Sequence, residues 1–163
     1  MADTEFKFYI QREGEDAISI EDGFSRIAPD GKPHCGILYS KCTGLFDKGK
    51  RLDVHTETYA DSKEMRVWLG DEIVREPTKI TLSLYFVGYF RKDVFNTFMN
   101  VVENSKLYYW DTARRKKAYM VLIEAIPVKE EVYKGSTPYM LFEFKFQNLW
   151  GECKDCDNNG NIK

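Results

Sequence analysis

Lys79-Ile80-Thr81-Leu82-Ser83-Leu84-Tyr85-Phe86 decides the fold. Ile80, Leu82, Leu84 and Phe86 alternate with Thr81, Ser83 and Tyr85, the period of two that marks a strand with one buried face. The period then changes. From Arg91 to Ser105 the apolar residues Val94, Phe95, Phe98, Met99, Val101 and Val102 fall on one stripe of an amphipathic helix. Three more strand-like runs follow, Lys106–Trp110, Ala118–Val128 and Tyr139–Leu149. In the last, Met140, Phe142, Phe144 and Phe146 form one face, with Glu143, Lys145 and Gln147 on the other. A sheet with one helix laid across it is the expected heart of the molecule.

Upstream, Phe6, Phe8 and Ile10 alternate with Lys7, Tyr9 and Gln11, so residues 1–20 are read as an N-terminal strand or arm, with a second short strand at Ala17–Ile20. Pro29-Asp30-Gly31-Lys32-Pro33 predicts a sharp turn, and Gly36–Ser40 is weakly strand-like. Lys41–Lys63 holds glycines, charges and little periodicity, and is read as a long loop, of the kind that is functional or ordered by a partner. Glu64–Leu69 resumes as a strand. Asp111–Arg115 is a turn, and Val128–Thr137 a polar excursion joining two strands as a long hairpin. Ala118–Ile126 is apolar on both faces, which fits a strand between two layers or a face that another subunit covers. Residues 151–163 form a polar tail. The fold class that follows is mainly β (α+β): an antiparallel β-sandwich or barrel flanked by one amphipathic helix, within a single domain of 163 residues.

Composition narrows the function classes. A net charge of −2 gives no global pull toward nucleic acid or anionic lipid. No apolar run is long enough to span a bilayer, and the first residues lack the basic-then-apolar order of a secretion signal. A soluble protein made in the cytoplasm is expected. Catalytic signatures are missing too: the chain has no G-x-S-x-G, no phosphate-cradling glycine loop and no H-E-x-x-H, and its only histidines are His34 and His55. The reading is of a non-enzyme without cofactor.

Three constellations carry alternatives. Cys153-Lys154-Asp155-Cys156 is half of a zinc site, which Cys35, Cys42 and His34 would have to complete at unusual spacing; unligated thiols are the plainer reading. Asp155 to Ile162 matches the first half of an EF-hand loop but lacks the closing glutamate, so an Asx-rich turn is expected. Arg114–Lys117, near Tyr108, Tyr109 and Trp110, has the basic-aromatic mix of nucleic-acid binders, or is simply a solvated hairpin tip.

The order of elements resembles the tail-tube and distal-tail proteins of bacteriophages and related contractile injection machines. The resemblance covers about Glu64–Glu152 and rests on Pro77–Leu84, the helix Arg91–Ser105, Leu107–Thr112 and Phe142–Phe146. It implies a structural subunit of a hexameric ring in a virion tail, assembled in the bacterial host cytoplasm. Its partners would be copies of itself and other tail or baseplate proteins, with DNA only as transient cargo and no membrane. The expected oligomer contacts are Leu45 and Phe46 in the long loop and Tyr119, Val121 and Ile123 on the two-faced strand.

Overall fold

The computed structural model of the chain describes residues 6–24, 26–27, 33–58, 65–70, 72–131 and 138–163. The turn expected at Pro29–Pro33 and the hairpin tip at 132–137 lie largely outside them. In chain order the elements are β1 (Phe8–Arg12), β2 (Ile18–Ser19), β3 (Arg26–Ile27), β4 (Pro33–Thr43), β5 (Val54–Thr58), β6 (Met65–Leu69) and β7 (Thr78–Val87). Then come α1 (Arg91–Val102), β8 (Leu107–Asp111), β9 (Lys116–Glu131), β10 (Tyr139–Asn148) and β11 (Lys154–Asp155). The main sheet runs β2-β1-β8-β9-β10-β7-β4-β3, with β11 added to β9, and every pairing in it is antiparallel. The mainly-β class with a single helix is as expected. The sheet is open at β2 and β3 and is not closed into a barrel.

β7 sits centrally because both of its neighbours bring apolar side chains to the same face. Ile80, Leu82, Leu84 and Phe86 are all fully buried. They stand opposite Phe146, Phe144, Phe142 and Met140 of β10, and Leu82, Leu84 and Phe86 also oppose Cys42, Tyr39 and Ile37 of β4. The helix closes this face. Val94, Phe98 and Val102 recur at helical spacing and are buried. The Phe98 ring meets Phe144 at 5.1 Å, Phe24 at 5.4 Å and Phe86 at 5.9 Å, all edge to face. The helix ends at Val102 rather than Ser105, where the apolar stripe stops and the Asn104 side chain turns back to donate to the Asn100 carbonyl. The other half of the sheet bends over so that the inner faces meet, Phe8 of β1 stacking on Tyr39 of β4 with centroids 3.7 Å apart.

Bulges re-phase two strands. The β9–β10 register slips at Ile123 and again at Val128, and the β4–β7 register slips at Ser40. On β9 the slip turns Leu122 and Ala125 to the same inner face, opposite Phe146 and Phe144. Ile123 is thrown outward and stands 64% exposed. The apparent two-faced apolarity of Ala118–Ile126 is therefore partly a change of phase.

Two regions differ from the sequence reading, the long loop and the tail, and at the N-terminus one of its two alternatives holds. Lys41–Thr43 belongs to β4, and Val54–Thr58 is a strand paired with Met65–Leu69, so the second half of the expected long loop is a two-stranded hairpin off the main sheet. Residues 8–12, read as strand or arm, are a sheet strand between β2 and β8. The tail beyond Gly151 is docked, with Gly151, Cys153, Cys156 and Gly160 buried.

Candidate interaction surface

The hairpin continues below β5 and β6 as a ribbon. Gly70 N–H donates to the Asp53 carbonyl, Leu52 N–H to Val74, and Glu76 N–H to Lys50, each within 2.9 Å. Arg51 grips Asp53 through two guanidinium nitrogens at 3.0 and 2.6 Å. These bonds make one arm from about Gly49 out to β5–β6 and back to Glu76. Its root is tied to the body by ion pairs from Arg75 and Lys48 to Glu152, each 3.3 Å, and by the Gly49 N–H to the Gly151 carbonyl at 2.8 Å.

The arm carries apolar side chains with no core to enter. Leu52, Val54, Trp68, Leu69, Ile73 and Val74 are exposed, and Phe46 stands beside the root. Seven of the fourteen large hydrophobic side chains exposed among the described residues thus fall between positions 46 and 74. Scattered exposed hydrophobics are ordinary, but a concentration on one projecting element marks a contact surface. A two-stranded ribbon is itself marginal in water, so this one gains from being covered.

A second feature is the side of β4 away from β7. This strand of 11 residues pairs with β7 from Gly36 to Thr43, and on its other side, among the described residues, β3 pairs with Pro33 and Cys35. Glu21 Oε1 accepts the Tyr39 N–H at 2.9 Å. The rest of that edge is shielded by the bulge at Ser40 and the adjacent Lys41, devices that keep an edge from pairing indiscriminately.

Among the expected contact residues, Phe46 is 68% exposed, with the Lys116 ammonium 5.7 Å from its ring. Ile123 is exposed and Val121 half-buried, both on the outer face of β9. Leu45 is buried in the chain's own core at 3% exposure, because the turn out of β4 points it inward. Tyr119 packs in an aromatic cluster with Tyr108 at 4.8 Å and Trp150 at 5.9 Å.

Comparison with protein families, curated proteins and solved structures finds no match to this chain.

The basic run is used internally. Arg114 Nη1 donates to the Tyr39 hydroxyl at 3.0 Å and to Asp111 Oδ2 at 3.1 Å. Lys116 pairs with Asp155 at 2.7 Å, and Lys117 donates to the Gly160 carbonyl at 2.8 Å while lying over the Tyr108 ring at 4.5 Å. Of the four, only Arg115 is exposed. The run clamps the C-terminal segment instead of presenting a basic face. That segment forms the expected Asx turn, with Asp157 Oδ1 accepting from the Asn159 and Asn161 amides at 2.8 and 2.9 Å. Gly160 lies so close to Trp110 that a Cβ there would come within 2.6 Å of the indole.

All four cysteines are buried. Burial pushes the Cys42 and Cys153 thiols up to about 12, away from the thiolate a redox reaction needs. Among the described residues no three His, Cys, Asp or Glu side chains gather as a metal site; the side chains of His34 and His55 lie outside them.

The carboxylates that hold the arm and tail predict acid behaviour. Asp53 is held down to about 2 by its hydrogen bonds from Arg51. Asp155 is lowered by the Lys116 ammonium, and Asp157 by the amides that cap it. A folded-state pKa below the unfolded value contributes stability that is present above about pH 4 and lost as pH falls through the folded value. Tail and arm root should loosen between about pH 4 and pH 2. Amide exchange at residues 157–161 and Trp fluorescence, followed down that range, report it, and protection unchanged to pH 2 would contradict the assignment.

Proposed function

We propose that the chain is a non-enzymatic structural subunit of a phage tail or tail-like machine, assembling with copies of itself into a ring of the tail tube or distal tail. The observation that carries this reading is the arm, whose exposed apolar residues Leu52, Leu69, Ile73 and Val74 have no place to go within one copy. A subunit that adds to its neighbours needs such a projecting element. The resemblance in element order gives the kind of assembly, and a hexameric ring in the virion tail is what it implies. The role is passive: sheets and arms join copies into a ring, further tail or baseplate proteins stack on it, and DNA passes only as cargo.

Sedimentation velocity over a concentration series, with electron microscopy of the same samples, tests the reading. The expected result is concentration-dependent association into rings or short tubes. Leu69→Asp with Ile73→Asp changes exposed positions only, so the fold should survive while the concentration for half-assembly rises about tenfold or more, as for loss of central contact residues. A wild-type chain that stays monomeric at high concentration, with no rings or filaments, would sink the proposal.

A further inference from the structure

The arm has a charge and a character that another part of the chain matches. Between Gly49 and Glu76 the sequence holds seven acidic residues against five basic ones, a net charge of −2. On the outer face of the main sheet, where the first residues of β7 meet the bulge of β9 and the last residues of β10, there is an open groove of about 460 Å³. Pro77 and the outward-thrown Ile123 give it an apolar floor, and Lys79 and Lys145 stand on its rim with Glu124. The arm presents the converse, exposed Leu69, Ile73 and Val74 with the exposed carboxylate Glu72 among them. Within one copy neither apolar tip is covered, Ile73 being 60% and Ile123 64% exposed.

We propose that the arm of one copy seats in the β7–β9–β10 groove of the next, Ile73 entering beside Ile123 and Glu72 facing Lys79 and Lys145. The inference rests on the ring reading above and adds its geometry. Arm and groove are different surfaces, so the contact is heterologous: each copy offers an arm to one neighbour and a groove to the other. Repeating such a contact closes a ring or runs on as a filament, whereas a contact between like surfaces would stop at a dimer. The opposed charges set register and speed encounter, while the apolar residues supply the holding energy.

Disulfide trapping between two variants tests this. Ile73→Cys and Ile123→Cys are surface changes, and the four native thiols are buried, so circular dichroism should match the wild type and background linkage should be low. On mild oxidation, a mixture of the two variants should yield a covalent dimer, and neither variant alone should. Lys79→Glu with Lys145→Glu should raise the concentration for half-assembly about tenfold or more by placing like charges together, and Glu72→Lys in the same chain should recover part of the loss. If the wild type associates, yet the mixed variants do not cross-link and the lysine reversals leave association unchanged, the arm–groove contact is wrong while the ring reading stands. If the wild type does not associate at all, both fall together.

Discussion

Replacing Arg114 by methionine is expected to destabilise the chain by about 3–5 kcal/mol, the cost of removing one partner from a buried ion pair. The Asp111 carboxylate is completely buried and accepts from the Arg114 backbone amide through Oδ1 and from the guanidinium through Oδ2. Methionine keeps much of the volume but leaves a buried anion with no cation, and it strips the Tyr39 hydroxyl of its donor. For a chain of this size the loss corresponds to a fall in Tm of roughly 6–20 °C. Asp111→Asn should be milder, about 1–3 kcal/mol. Its amide oxygen can still accept from the turn, and the stranded guanidinium keeps 31% of its side-chain surface in solvent. Urea unfolding of both variants and of the double substitution gives the coupling, which should be well short of additive. Equal effects of the two single changes would mean that burial of the carboxylate is not what matters here.

The same bridge joins parts that lie far apart in the sequence, and it marks where sequence reading stops. Periodicity reports burial. β7, α1 and β10 were legible because each buries one clean face, Ile80 to Phe86, Val94 to Val102 and Met140 to Phe146. The arm was not, because its described strand ends expose Leu52, Val54, Trp68 and Leu69 instead of alternating a buried face with a solvated one. His55-Thr56-Glu57-Thr58 therefore read as loop although it pairs residue for residue with Met65–Arg66–Val67–Trp68. β4 was weak for another reason: the bulge at Ser40 shifts its phase, so Tyr39 and Cys42 share a face three residues apart. The C-terminal segment looked like a solvated tail because its anchors are backbone carbonyls, Asx oxygens and a glycine against an indole, none of which adds hydrophobicity. Of the residues expected from sequence to make contacts, Phe46 and Ile123 are exposed, while the exposed Leu69, Ile73 and Val74 lie outside the loop read over Lys41–Lys63.

The second large effect is expected at Gly44, where the chain turns out of β4 toward the arm. Its φ is +94°, and a Cβ built there would lie 2.2 Å from the Lys79 carbonyl oxygen, an atom of the β7 backbone that cannot swing aside. Gly44→Ala should thus pay twice: about 1–2 kcal/mol for a side chain in the left-handed region and about 1–3 kcal/mol for forcing two backbones apart. Gly14 separates the two costs. Its φ is +76°, but nothing lies within 4 Å of a Cβ there, so Gly14→Ala should lose only the first. The excess at Gly44 measures how tightly the exit from β4 is held against β7, and relief of that contact would pull Leu45 from the core and shift the arm's root. Gly44→Ala should therefore weaken self-association more than it weakens folding, whereas Gly14→Ala should leave association at wild-type strength once unfolded chains are accounted for. Equal stability losses at the two glycines in urea titrations would show that β7 yields freely at Lys79, and the arm would then be less firmly aimed than its hydrogen bonds imply.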